Sequence, residues 1–114
     1  MAITHSNVTG STTDTLSYTP PSVSDACLVV LVSSEDVSND EAITGVSFGG
    51  TAMTLAATGE GINGVHSNDL AIAYLVNPGA SAQTITVTGG QHDRMGLIAL
   101  TLADVNQSTP IDAS

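Results

Sequence analysis

The chain has 114 residues, and eleven acidic side chains against a single base, Arg94, give it a formal net charge of −10 at pH 7. A surface of this sign repels phosphate groups, so we expect neither nucleic acid nor an anionic membrane as a partner. Only 11% of the residues are charged and 41% are hydrophobic, which excludes a disordered acidic tail and predicts a single folded domain over residues 1–114.

Strand-like segments recur along the chain, each bounded by turn residues. In chain order they are Ile3–Val8, Thr13–Thr19, Cys27–Val32, Ile43–Phe48, Thr51–Ala57, Leu70–Val76, Gln83–Thr88 and Met95–Leu102. β-Branched residues and glycine dominate nearly every segment and disfavour helices. We therefore predict an all-β fold, an antiparallel two-sheet β-sandwich of immunoglobulin-like or jelly-roll type with about eight strands.

Three segments allow more specific predictions. Cys27–Val32 is continuously apolar, as expected for a central strand that is buried on both faces. Cys27 itself is therefore predicted to be a buried structural thiol. Gln83–Thr88 alternates between apolar and hydroxyl side chains, which is typical of a strand with one solvated face. The glycine-rich stretch Gly59–Asn68 is predicted to be a flexible loop.

The stretch Gly45-Val46-Ser47-Phe48-Gly49 has the G-x-S-x-G form of the nucleophile elbow of α/β-hydrolases. That elbow needs a strand, a sharp turn and then a helix. Here Gly49-Gly50 stands between two strand-like segments and predicts a two-residue hairpin turn. His66 and His92 lie in polar segments predicted as loops, and nothing in the sequence places either near Ser47. We therefore predict that Ser47 is an ordinary strand residue and that the protein is not an enzyme.

The segment between residues 35 and 41 holds four carboxylates, and carboxylate clusters in sandwich loops can bind calcium. The candidate ligands are Glu35, Asp36, Asp40 and Glu41. The D-x-D-x-D-G spacing of calcium loops is absent, so we expect a solvated loop and no cofactor, with calcium binding as the alternative.

The N-terminal residues Met1–His5 lack the basic region and the apolar stretch of a signal peptide. No segment reaches the length of a membrane span. We therefore expect synthesis without a signal peptide, although the composition is typical of proteins that act outside a cell. A virion protein released by lysis satisfies both expectations, so we predict the outer surface of a virion. An extracellular location, for a processed fragment, is the alternative.

Five pieces of the chain form a pattern with a Gly-Gly hairpin, a Leu-x-x-x-Tyr-Leu strand and a Pro-Gly turn. They are Leu28–Asp36, Val46–Leu55, Leu70–Pro78, Thr84–Thr88 and Ala103–Ala113. In this order they resemble a β-sandwich module of bacterial and phage proteins that is often repeated or appended to longer chains. The resemblance implies a module of large extracellular and virion proteins without a defined catalytic role.

These observations favour a non-enzymatic structural protein of a virion, such as a phage capsid decoration or cementing protein. Its partner would be a protein, either the major capsid protein or copies of itself, in a homo-oligomer or on a lattice. The alternative is a self-assembling extracellular filament, surface-layer or adhesin subunit. A carbohydrate-binding module ranks third, because only 3% of the residues are aromatic and could stack on a sugar.

Docking arms are predicted at the two ends of the chain, in residues 1–11 and 105–114. The candidate contact residues are Ile3, His5, Val8, Val105, Pro110 and Ile111. The alternative for both segments is an ordinary edge strand of the sandwich.

Overall fold

In the computed structural model, which describes residues 2–36, 42–63, 66–89 and 94–111, the described residues form nine strands and no helix. The strands are β1 (Thr4–Ser11), β2 (Thr15–Tyr18), β3 (Cys27–Asp36), β4 (Ile43–Phe48), β5 (Thr51–Ala52), β6 (Thr54–Asn63), β7 (His66–Val76), β8 (Gln83–Gly89) and β9 (Arg94–Ala103).

The strands form two antiparallel sheets that pack face to face. The five-stranded sheet has the order β1-β9-β3-β7-β6, and the four-stranded sheet has the order β2-β8-β4-β5. This arrangement confirms the predicted all-β, two-sheet sandwich. β3 is the central strand of the larger sheet, where Leu31 pairs with Ile98 of β9 on one side and with Ile72 of β7 on the other.

The core lies between the sheets and is built mainly from aliphatic side chains that alternate along the strands. Its members are Leu16, Tyr18, Leu28, Val30, Val32, Ile43, Val46, Phe48, Met53, Ala71, Ala73, Ile85, Val87, Met95, Leu97 and Ala99. Each large side chain contributes about 1.5–3 kcal/mol by leaving water. One polar contact crosses this core, a hydrogen bond of 2.8 Å between the hydroxyls of Tyr18 and Thr101.

The predicted Gly49-Gly50 hairpin is confirmed. Gly49 and Gly50 have φ angles of 56° and 82°, and Phe48 pairs with Thr51 across them. Two positive φ angles match the twist of the flanking strands, and glycine adopts them without steric cost. After β5 the chain crosses to the other sheet at Met53, whose N–H donates to the carbonyl of Val46. The predicted single strand Thr51–Ala57 is therefore two strands in different sheets.

The prediction of a flexible loop over Gly59–Asn68 is wrong. β6 continues to Asn63 and β7 begins at His66, so the two strands form a long hairpin. The inward positions at this end carry Ser67 and Asp69, both buried. Polar residues that face inward remove the apolar alternation from which a strand is predicted.

The expected burial of Cys27–Val32 on both faces is also wrong for a single chain. Leu28, Val30 and Val32 are buried, but Leu31 exposes 38% of its surface on the outer side of the sheet. The four-stranded sheet covers only one face of β3, and no described residue of this chain forms a layer over the other.

Candidate interaction surfaces

The two outer faces of the sandwich differ in their chemistry. On the four-stranded sheet, Thr15, Thr86 and Ser47 form one row across β2, β8 and β4, and Ser17 pairs with Thr84 beside it. Their strand neighbours, such as Ile85, point into the core. This face therefore follows the usual pattern of antiparallel sheets, apolar inside and polar outside.

The outer face of the five-stranded sheet is aliphatic instead. Leu31, Ile72, Ile98 and Leu70 expose 38%, 42%, 45% and 57% of their surfaces, respectively. They lie on three adjacent strands, β3, β7 and β9, so their side chains are neighbours and not scattered. Contiguous exposed apolar surface marks an interaction site more often than single exposed residues do.

Strand register shows how far this surface extends. Three successive rows of paired residues cross the sheet without a charged side chain. The first row lies in the middle and contains Gly10, Ile98, Leu31, Ile72 and Ala57. The second row lies beside it towards Glu35 and contains Gly96, Ser33, Leu70 and Gly59. The third row lies on the other side of the first and contains Leu100, Val29, Tyr74 and Thr54. We call the outer surface of these three rows the aliphatic face.

An open groove of about 720 Å³ lies on the aliphatic face. Gly96 and Ser33, which are paired across β9 and β3, form part of its lining together with Leu31, Ile98 and Leu70. A Cβ atom added at Gly96 would meet nothing within 4 Å, so the space above this glycine is empty. The groove therefore includes the open space above the small residues of the second row, with aliphatic side chains on one side and Ser11 and Thr12 also in its lining.

Charge returns at one end of this face. Glu35, paired with Arg94 in the next row, lies 3.6 Å from its guanidinium and 4.0 Å from Nδ1 of His66. The side chains of Arg94 and His66 are well exposed, so these contacts contribute little to stability. They place the only arginine of the chain beside a carboxylate.

The structure separates the calcium candidates. Glu35 and Asp36 are consecutive residues of β3, so they lie on opposite faces of the sheet. Glu35 is partly exposed, whereas Asp36 is buried at 5% exposure. Asp40 and Glu41 lie outside the described residues. Among the residues that are described, no group of three or more His, Cys, Asp or Glu side chains could hold a metal ion. Calcium binding by the segment stays a prediction.

The predicted N-terminal docking arm is largely an edge strand. Thr4–Ser11 forms β1, which pairs with β9, so only Ala2 and Ile3 precede the sheet in the described chain. Ile3 exposes 59% of its surface and Val8 57%. His5 is also exposed, in register with Leu102. These three candidates remain accessible.

The C-terminal candidates divide into buried and exposed residues. Val105 is 4% exposed, and its N–H donates to the carbonyl of Asp25, so it belongs to the fold and not to an accessible surface. Pro110 is half-buried, and Ile111 exposes 54% of its surface. Between them and β9, the side-chain oxygen of Asn106 accepts from the N–H groups of Ser108 and Thr109, which orders this segment.

Ser47 lies within β4, as predicted, between the buried Val46 and Phe48. It belongs to the four-stranded sheet, whereas His66 begins β7 in the five-stranded sheet. His92 lies outside the described residues. No helix follows the Gly49-Gly50 turn, since β5 comes next in the described chain. The strand–turn–helix context of a nucleophile elbow is therefore not present at Ser47.

Two buried groups have raised pKa values. Burial raises the pKa of the Cys27 thiol, because the thiolate is less well solvated inside the sandwich. Burial likewise raises the pKa of the Tyr18 phenol, although its hydrogen bonds to Thr101 and Asn7 act in the opposite direction. Both groups are therefore neutral near pH 7. The predicted buried thiol at Cys27 is confirmed at 2% exposure.

The sequence-based prediction missed the aliphatic face. Its residues were identified as strand positions, but their outward direction depends on which sheet face the second sheet covers. The available signal was the nearly continuous apolar character of Cys27–Val32, Leu70–Val76 and Met95–Leu102. Strands of a two-layer sandwich need only one apolar face, so three such strands in one sheet indicate that the sheet has a second apolar face.

No protein-family model matches this chain, and neither the curated proteins nor the solved structures include a match to it. In the described part of the chain, no helical segment has the length and hydropathy of a membrane span.

Proposed function

We propose that this chain is a non-enzymatic structural protein of a virion, which decorates or cements the outer surface of a phage capsid. The observation that supports this proposal is the placement of the two terminal segments. Thr4 is paired with Ala103, so the residues before β1 and those after β9 leave the sandwich at the same end. Two segments that leave at one end can attach the domain to a lattice while the rest faces solvent.

The terminal segments also carry side chains suited to such a contact. Ile3 and Ile111 expose more than half of their surfaces, at 59% and 54%. The segment after β9 is held to the loop before β3, because the N–H of Asp104 donates to the carbonyl of Ser24 and the Ser24 hydroxyl donates to the Asp104 carboxylate. An exposed isoleucine on an ordered segment loses less conformational entropy on binding than one on a flexible tail.

The net charge of −10 supports an outward-facing role, because it favours solubility and repels phosphate. The resemblance to modules of virion and extracellular proteins points in the same direction.

A filament or adhesin subunit ranks second because its growth by strand addition would need open sheet edges. The edge strand β1 has irregular register between Ser6 and Thr9, and Asn7 there adopts a positive φ of 55°. The opposite edge, β6, has irregular register between Leu55 and Ala57. Irregular edges of this kind oppose pairing with another strand.

A carbohydrate-binding module ranks third. Of the three aromatic residues in the chain, Tyr18 and Phe48 are buried, and Tyr74 is half-buried on the aliphatic face. A sugar-binding site usually presents aromatic rings to solvent for stacking. The aromatic residues of this protein mainly fill its interior.

The proposal is tested by adding the purified chain to particles of the phage that encodes it, after their outer proteins have been stripped. Pelleted protein is measured for the wild type, for the double variant Ile3→Ser/Ile111→Ser, and for Ile72→Ser, which removes a similarly exposed isoleucine from the aliphatic face. We expect saturable binding of the wild type and of Ile72→Ser. The double variant should bind at least about tenfold more weakly, because burial of one isoleucine is worth about 1.5–3 kcal/mol.

Absence of wild-type binding to the particles would overturn the proposed function. Equal binding by the wild type and the double variant would refute the role of the terminal segments alone. Selective loss in Ile72→Ser, with the double variant unchanged, would show that attachment depends on the aliphatic face and not on the terminal segments.

A further inference from the structure

The two outer faces of the sandwich provide an internal comparison. Each face is the outer side of a single sheet in the same chain. One face presents threonine and serine, and the other presents leucine and isoleucine. General sequence composition cannot explain this difference, because it acts on both faces equally. We propose that the aliphatic face is an interface between two copies of this chain, which pack face to face about a two-fold axis.

The area of the aliphatic face fits a weak interface of this kind. Its three rows extend for about 20 Å along the strands, and the five strands span roughly 24 Å. The product, roughly 500 Å² on each copy, lies in the range of weak and transient protein interfaces. A small ligand in the groove would leave most of this face exposed, whereas a second sheet covers it completely.

Charge also favours a second copy. The three rows of the aliphatic face carry no charged side chain, although the chain as a whole has a net charge of −10. A basic partner would be attracted to the acidic parts of the surface, not to this neutral one. Another copy has the same neutral face, so contact along the three rows buries no carboxylate and leaves Glu35 of each copy at the end of the interface, beside Arg94.

The shape of the face is self-complementary. β3 is the middle strand of five, and Leu31 lies between Ile98 on β9 and Ile72 on β7. A two-fold axis in the interface plane and parallel to β3 exchanges the positions of β9 and β7. It therefore places Ile98 of one copy opposite Ile72 of the other, with Leu31 opposite Leu31.

The same axis pairs a protrusion with a hollow. In the second row, Leu70 on β7 and Gly96 on β9 both pair with Ser33 of β3. The two-fold operation brings Leu70 of each copy over Gly96 of the other. Leu70 exposes 57% of its surface, and the space above Gly96 is empty. Leu70 of each copy then fills the groove of the other copy. This contact occurs twice in the dimer, as expected for an interface with two-fold symmetry.

The test is sedimentation equilibrium of the full chain from about 1 µM to 1 mM, with four proteins compared. They are the wild type, Leu70→Ser, Gly96→Val, and a control, Thr84→Ser, on the outer face of the four-stranded sheet. Because Leu70 is buried at two symmetric sites, Leu70→Ser should weaken dimerisation by roughly 100-fold. Thr84→Ser should dimerise like the wild type.

Gly96→Val distinguishes the proposed geometry from unspecific apolar association. Valine favours a strand and would meet no atom within 4 Å at its Cβ, so the monomer should keep its unfolding midpoint. It adds apolar surface, which would strengthen unspecific association, but it occupies the space that Leu70 of the other copy needs. We expect Gly96→Val to dimerise at least about tenfold more weakly than the wild type.

Salt gives a further readout. Two chains of charge −10 repel each other, so dimerisation should strengthen as sodium chloride rises from about 0.05 to 0.5 M and screens this repulsion. A wild type that stays monomeric throughout would overturn the proposal. So would a Gly96→Val variant that associates as tightly as the wild type. Thermal unfolding of each variant verifies that a loss of association does not come from a loss of the fold.

Discussion

The hydrogen bond between Tyr18 and Thr101 connects the two sheets through the core, and its removal should destabilise the sandwich by a predictable amount. The hydroxyls are 2.8 Å apart, and the two residues are 2% and 0% exposed. Thr101→Val keeps the branched shape and removes only the hydroxyl. A buried polar group that loses its partner costs about 1–3 kcal/mol. Asn7 is a second hydrogen-bond partner of the phenol, so we expect about 1–2 kcal/mol.

The assay is urea unfolding of the wild type, Thr101→Val, Tyr18→Phe and the double variant. We expect each single variant to unfold at lower urea with an unchanged m-value. The double variant lacks both hydroxyls, so no buried hydroxyl is left without its partner. Its loss of stability should therefore be smaller than the sum of the losses in the two single variants. An unchanged midpoint for Thr101→Val, or strictly additive losses in the double variant, would refute this reasoning.

Three further predictions concern single positions in the sandwich. Gly89 has φ 83°, and an added Cβ would lie 2.6 Å from the carbonyl oxygen of Ala42, so Gly89→Ala should destabilise more than Gly50→Ala, which has φ 82° and open space. Gly50→Ala should lower the free energy of unfolding in urea by about 1–2 kcal/mol. Equal losses in Gly89→Ala and Gly50→Ala would show that the predicted clash at Gly89 has no effect. Cys27 should react with a thiol reagent only on unfolding, because burial raises its pKa and blocks access; rapid reaction of the native protein at pH 8 would disprove this. The raised pKa of Tyr18 predicts stability that is complete below about pH 10 and falls as the pH rises through the folded-state pKa, with a smaller fall in Tyr18→Phe.

Much of the fold was predictable because its strands follow simple alternation. β8 shows hydroxyl groups outside and Ile85 and Val87 inside, and the glycine pair at Gly49 supplies the positive φ angles of a tight turn. The hairpin of β6 and β7 was not predictable in this way. Its inward residues near the end include Ser67 and Asp69, which are polar although buried.

The interaction surfaces were predictable only in part. Ile3 and Ile111 are exposed, as expected of docking residues, whereas the equally apolar Val105 is buried by the loop at Asp25. That difference depends on a tertiary hydrogen bond and not on the local sequence. The aliphatic face needed the register of five strands, because Leu31, Ile72 and Ile98 are far apart in the chain and meet only in the sheet.

The proposed place of this protein, on the outer surface of a virion, is tested most directly by locating the native protein. Antibodies against the purified chain, with gold particles attached, are applied to intact virions of the phage that encodes it, and the virions are viewed by electron microscopy. We expect gold in a regular distribution over the particle surface, at a copy number set by the lattice. Labelling of cell-attached filaments, or virions without label, would refute the proposed location.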